Sequence, residues 1–297
     1  MKNPVFTGAN VAIITPMTEH GVDLTRLGDL IEFEIAGGIN AITICGTTGE
    51  SSTLTHDEHC RAIEYCVKKV AGRVPVIAGT GSNDTAYALE LSQFAESVHA
   101  DGLLMATPYY NKTSQRGLIA HYTYLADRLH TPIILYNVPS RTGLSFKAET
   151  YHTLSKHPMI NGVKEASGNF SLMAETRALC GDELNMWSGN DDQTVPMLAL
   201  GAKGVISVAA NVIPGVMAEI CKLFFDGKVA ESNALALRYF DLMNRLFIEV
   251  NPIPVKAALK LMGLDSGALR LPLCEISDAN LAILKKSMLD AGVPLAN

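Results

Sequence analysis

The sequence predicts an α/β chain folded as a (β/α)8 TIM barrel with a C-terminal helical extension. Three observations lead there. Short runs rich in Val, Ile and Leu recur eight times, segments of helical length and period separate them, and beyond residue 227 the runs stop while the helical pattern continues. The runs are apolar on both faces rather than alternating, which fits a parallel sheet covered outside and filled inside. Eight of them within about 225 residues favour a closed barrel over an open doubly wound sheet.

In chain order the strand candidates are NVAIITP (10–16), INAITICG (39–46), VPVIAGTG (74–81), DGLLMATP (101–108), TPIILYNVP (131–139), INGVKEAS (160–167), ELNMWSGN (183–190) and KGVISVAAN (203–211), bounded by Gly, Pro, Asn or Thr. LTRLGDLIEFEIA (24–36), HDEHCRAIEYCVKKV (56–70) and TAYALELSQFAESV (85–98) have helical length and period, and Thr55 with Glu58 has the spacing of a capping box. Residues 229–249, 253–263 and 277–291 read as further helices, with breaks at Pro252, Pro254, Gly267 and Pro272. The chain therefore divides into a catalytic barrel (1–227) and a helical domain (228–297).

Composition narrows the function. At 48% hydrophobic and 18% charged the chain buries a large core, and a net charge of -6 gives no general attraction to nucleic acid or an anionic membrane. The expected partners are small molecules or further copies of the chain. Six cysteines without a C-x-x-C pair read as reduced core thiols. The N-terminal apolar run is interrupted by Thr7, Gly8 and Asn10, a poor signal peptide. The longest uncharged apolar stretch, 204–218, holds Asn211 and Pro214 and is shorter than the ~20 residues a membrane span needs. A cytoplasmic location is expected.

In a barrel the reactive residues lie at the C-terminal ends of the strands. Those ends here carry GTTGES (46–51), TPYYNK (107–112), YNVPSRTG (136–143), GVKEASG (162–168) and SGND (188–191). Lys164 stands in an apolar strand. Either it pairs with a buried acid or faces outward beside Glu165, or it is a Schiff-base nucleophile, because an amine attacks a ketone only when unprotonated and desolvation favours that form. Thr47 and Thr48, between two glycines, form either a plain tight turn or an anion cradle of backbone N–H groups and hydroxyls; the P-loop spacing is absent. Tyr109 and Tyr110, read as extended, point opposite ways: either they simply pack near a surface, or one fills a subunit contact while the other enters a site. Tyr136 at a strand end suits proton transfer, and Arg141 in the next loop suits a carboxylate. GTGSND (79–84) departs from the dinucleotide fingerprint at Asp84, and His56 with His59 reads as a surface pair.

Taken together, GTTGE, TPYYN, YNVPSRTG, GVKEASG, SGND, GVISVAAN and NPIPVK (251–256) resemble the dihydrodipicolinate synthase / N-acetylneuraminate lyase family of class I aldolases, over essentially the whole chain. The resemblance implies that Lys164 forms an imine with pyruvate, whose carboxylate rests on Thr47 and Thr48. It implies a proton relay of Tyr136, Thr47 and Tyr110, with Tyr110 supplied by a neighbouring subunit of a homo-oligomer, commonly a dimer of dimers. Arg141 would grip the carboxylate of L-aspartate 4-semialdehyde, and Gly189 and Ile206 would line the pocket. The product would be 4-hydroxy-tetrahydrodipicolinate, in the first committed step toward diaminopimelate and lysine, with no cofactor beyond the covalent imine and no metal. Relatives that cleave 2-keto-3-deoxy sugar acids lack an Arg at this place. Some family members are inhibited by lysine at positions matching Ser51, His56, His59, Asn83 and Tyr109. Tyr87 stands where lysine-sensitive members carry a Glu, so weak or absent inhibition is expected.

Overall fold

The computed structural model describes residues 2–296; Met1 and Asn297, the outer ends of the two segments read from the sequence, lie outside the described residues. Eight parallel strands close into a barrel: β1 (Gly8–Ala12), β2 (Ala41–Ile44), β3 (Val76–Gly79), β4 (Gly102–Ala106), β5 (Ile133–Asn137), β6 (Ile160–Glu165), β7 (Asn185–Ser188) and β8 (Gly204–Ser207), each paired with its chain neighbours and β1 with β8. Each overlaps a run read from the sequence but is shorter, because the C-terminal part of each run leaves strand geometry to build the rim. At β2 the cause is visible: Cys45 turns into left-handed backbone at φ 56, which ends the strand before GTTGES.

Inward-facing side chains fill the barrel. Ala41, Ile77, Leu104, Ile134, Trp187 and Ile206 pack together, and Phe6 stacks on Trp187 at 5.0 Å between ring centres, closing the N-terminal end. The Trp187 indole N–H donates to the Phe6 carbonyl at 3.3 Å. A buried indole thus keeps its one polar atom satisfied.

Around the barrel run α1 (Leu24–Ala36), α2 (His56–Val70), α3 (Thr85–Ser97), α4 (Gln115–Ala126), α5 (Ala148–Ser155), α6 (Phe170–Cys180), α7 (Thr194–Ala199) and α8 (Pro214–Phe225). Their starts follow capping chemistry: Asp23, Asp84, Ser114 and Asn169 each accept a first-turn backbone N–H, and Thr55 with Glu58 forms the full capping box on α2.

The remaining helices are α9 (Val229–Arg238), α10 (Phe240–Arg245), α11 (Ile253–Leu261) and α12 (Asp278–Asp290). One helix was expected over 229–249; the chain breaks at Tyr239 (φ -99, ψ 5) and leaves helical geometry after Arg245. The break is hidden because apolar residues continue at helical spacing through it, although α9 buries only Ser232 while α10 buries Leu242 and Met243. The Ser232 hydroxyl donates to the Ile220 carbonyl at 2.7 Å, tying α9 to α8. All six cysteines are free thiols; five are buried, and Cys274 is exposed, against the expectation of a core position. Among the described residues no helix is long and apolar enough to cross a membrane.

Candidate active site

Strand register assembles the centre of the site. Tyr136 on β5 pairs with Lys164 on β6, which pairs with Trp187 on β7, while Ala106 on β4 pairs with Tyr136. Neighbours in parallel register face the same way, so these four form one inward row. The next residues along, Asn137 and Glu165, face outward and lock the two strands from behind. The buried Glu165 carboxylate accepts from Asn137 Nδ2 (3.0 and 3.1 Å), from the Tyr151 hydroxyl (2.9 Å) and from the Ser167 backbone N–H (2.9 Å). Burial pushes this carboxyl above its ordinary range, against the pull of those donors.

Lys164 is 4% exposed, and its Nζ lies 4.4 Å from the centre of the Tyr136 ring. It makes no ion pair and no hydrogen bond with any described residue. Asp191, in the SGND turn after β7, is near enough for the ammonium charge to act on it. Its buried carboxylate binds the backbone N–H groups of Val208 and Ala209 at 3.1 and 2.9 Å, bracing the end of β8. Burial raises the Asp191 carboxyl above its ordinary value, while the Ser207, Ala209 and Val208 donors and the Lys164 charge pull the other way.

Above this row opens a cavity of about 250 Å³, lined among others by Thr47, Ser51, Tyr109, Tyr136 and Arg141. The glycines of GTGSND prove to be matters of packing: a Cβ on Gly79 would lie 2.1 Å from the Cys45 carbonyl oxygen, and one on Gly81 2.5 Å from the Ala106 nitrogen. Arg141 sits in one helical turn, Pro139–Thr142, after β5. That turn is pinned by the Thr107 hydroxyl, which donates to Thr142 Oγ1 at 3.0 Å.

The helical tail reaches this rim at several points. Asn251 Nδ2 donates to Thr48 Oγ1 at 3.0 Å, and the Asn251 carbonyl accepts from Arg141 Nη2 at 2.9 Å. Lys256 Nζ donates to Glu50 Oε1 at 2.7 Å and to the Thr15 carbonyl at 2.9 Å. Arg270 binds Glu58 through both terminal nitrogens and the Thr53 carbonyl through one, and its backbone N–H reaches Glu50 Oε2. The guanidinium holds the Glu58 carboxyl down to about 2.

The structure thus brings Thr47, Tyr136 and Arg141 to one cavity, with Ser51 and Tyr109, and sets Lys164 against Tyr136 beneath it. Thr48 is buried on Asn251, Ile206 faces the barrel interior, and Gly189 donates its N–H to the Glu165 carbonyl at 2.8 Å. A Cβ on Gly189 would meet Ala166 Cβ at 2.7 Å, so only glycine fits.

Other residues stand apart. Tyr110 is 92% exposed and outside the cavity lining. It has left-handed backbone at φ 66 rather than the extended form read from the sequence, so the tyrosine pair does not alternate as on a strand. Asn83 Nδ2 donates to the Tyr109 carbonyl at 3.2 Å. His56 faces the Tyr87 ring at 5.8 Å. His59 is not the surface residue expected: it is buried, with Nε2 2.8 Å from the Gly79 carbonyl, and burial lowers the ring to about 4.

Sequence reading gave no role to Asn251, Asp191, Glu50 or Lys256, although all four lie within GTTGES, SGND or NPIPVK, and strand alternation would have turned Glu165 outward onto the helices. Nothing local marks Asn251 as a partner of Thr48.

A buried amine beside a tyrosine ring, below a cavity lined by a threonine and a guanidinium, is equipped to capture a keto acid covalently and to receive a second carboxylate. Comparisons with known proteins show the family. Residues 5–290 match the model of the Dihydrodipicolinate synthetase family. A 4-hydroxy-tetrahydrodipicolinate synthase of Acetivibrio thermocellus is 52% identical, covering 99% of this chain and 100% of its own. The dihydrodipicolinate synthase structure from Aquifex aeolicus superposes with a TM-score of 0.96 at 44% identity, covering 98% of this chain and 100% of that one. A chloride-inhibited dihydrodipicolinate synthase from Acinetobacter baumannii, solved in complex with pyruvate, gives 0.95 at 40% identity, covering 97% and 99%.

Proposed function

The chain belongs to the dihydrodipicolinate synthetase family and, as a lyase of the class I aldolase type, condenses pyruvate with L-aspartate 4-semialdehyde; we propose that Lys164 is the amine that carries the reaction. The observation behind this assignment is the setting of Lys164: buried, against Tyr136, without an ion pair or hydrogen bond, below the cavity that holds Thr47 and Arg141.

In this reading the Lys164 amine attacks the keto carbon of pyruvate and water leaves, giving an imine. Thr47 and Thr48 hold the pyruvate carboxylate. Loss of a methyl proton converts the imine to an enamine, whose carbon attacks the aldehyde of the second substrate. Tyr136 and Thr47, with Tyr110 of a neighbouring subunit, move the protons. Arg141 binds the carboxylate of the semialdehyde bidentately. Attack of that substrate's own amine on the imine carbon closes the ring and returns Lys164. Atoms and electrons balance without a metal or a redox cofactor. Gly189 and Ile206 shape the barrel wall around the imine.

The assembly is a homo-oligomer, a dimer of dimers, with Tyr110 donated across the tight interface; its 92% exposure in the single chain supports this. The location is cytoplasmic, where buried thiols remain reduced. Ser51 and Tyr109, with His56, His59 and Asn83, form an allosteric region. The Tyr87 ring packed on His56 supports weak or absent inhibition by lysine. Borohydride reduction in the presence of pyruvate, followed by peptide mapping, is the test. The adduct is expected on the peptide holding Lys164; an adduct on another lysine, or none, overturns the assignment.

A further inference from the structure

We propose that Asn251 is a positioning residue for the pyruvate carboxylate, acting through the direction of the Thr48 hydroxyl, and that it couples this group to Arg141. The inference rests on the reading of Lys164 and Thr48 given above. A threonine hydroxyl has one hydrogen to donate and two lone pairs to accept with. Asn251 Nδ2 already donates into Thr48 Oγ1 at 3.0 Å, and both side chains are buried. One lone pair is therefore taken, and the Thr48 hydrogen is left for another acceptor. A carboxylate, which only accepts, is the partner that suits it.

With the amide turned the other way, Thr48 would donate to Asn251 and have nothing to offer pyruvate. Asn251 Oδ1 has no partner among the described residues, so the Nδ2 bond to Thr48 is the one hydrogen bond of this side chain there. The backbone carbonyl of the same residue holds Arg141 at 2.9 Å. One residue of the tail thus touches the groups assigned to the carboxylates of both substrates. Its place is fixed a turn further on, where Lys256 of α11 is bonded to Glu50 in the loop that carries Thr48.

Asn251→Asp is the decisive change, because it keeps the shape but presents only acceptors at neutral pH. The full-length enzyme is titrated with pyruvate, trapped with borohydride and read by mass. The Asp enzyme is expected to need about tenfold more pyruvate for half-saturation and to show the same rise in pyruvate KM, with kcat at saturating pyruvate within about threefold, while its melting temperature falls because a carboxylate is buried. Asn251→Ala, with neither donor nor acceptor, is expected to shift less than Asp. A wild type that traps no pyruvate overturns the reading of the site and this inference with it. A wild type that traps pyruvate, alongside an Asp enzyme half-saturating within twofold of it, overturns this inference alone. An Ala enzyme shifted as far as the Asp enzyme does so too, since packing rather than hydroxyl direction would then set affinity.

Discussion

The molecule buries two lysines among its described residues, and they are provided for in opposite ways. Lys256, fully buried on α11, has its ammonium bonded to the Glu50 carboxylate and the Thr15 carbonyl. Lys164 on β6 has the face of Tyr136 and no ion pair, with Asp191 acting on it only from a distance. Breaking a buried pair leaves an uncompensated charge and costs several kcal/mol, whereas an amine that already lacks its counterpart has no pair to lose. The first arrangement holds two parts of the fold together. The second leaves an amine available for a bond to substrate. Burial alone therefore does not identify a reactive lysine; what surrounds it does.

The largest effect that sharpens this contrast is on catalysis. Lys164→Ala is expected to lower kcat by at least about 10⁴-fold while the melting temperature holds or rises; steady-state rates and a thermal melt check both, and a steep loss of stability would make Lys164 structural. Next comes the mirror image. Lys256→Met is expected to cost about 3–5 kcal/mol of stability by stranding Glu50, with most of it regained when Glu50→Gln is added. Denaturant titration of the single and double variants would show it, and wild-type stability in the single variant would erase the contrast.

Tyr136→Phe keeps the ring against Lys164 and removes only the hydroxyl. It is expected to reduce kcat by about 10²-fold with little change in melting; a near-normal kcat would remove Tyr136 from the proton path. The smallest effect concerns the tail clamp. Arg270 holds the Glu58 carboxyl at about 2, below its ordinary 4.5, so the pair contributes stability above pH 4.5 that is lost as pH falls toward 2. The gap in melting temperature between wild type and Arg270→Met should narrow over that interval, and a constant gap would assign Arg270 to its Thr53 contact instead.

The barrel was legible because its code is local. Apolar runs at strand length and amphipathic periods at helix length depend on residues a few places apart, so α1 and α2 fall on the residues the pattern marks. Lys164 could be singled out because a charge inside an apolar strand conflicts with its surroundings. The bonds that shape the rim have no such signature. Asn251 and Thr48 are 203 residues apart, and Lys256 and Glu50 206. A lysine in an amphipathic helix reads as solvated until the fold shows a glutamate beside it. Tyr110 was misread for a different reason: its left-handed backbone is set by the turn after β4, and tyrosine has no preference for that conformation.

The stacked pair that closes the lower end of the barrel has an optical consequence. The chain holds one tryptophan, Trp187, and strand pairing sets it directly beside Lys164. Its emission therefore comes from a single known layer, one residue from the Lys164 amine. Adding pyruvate should alter that fluorescence as the adduct forms, which gives a label-free signal for the rate of capture.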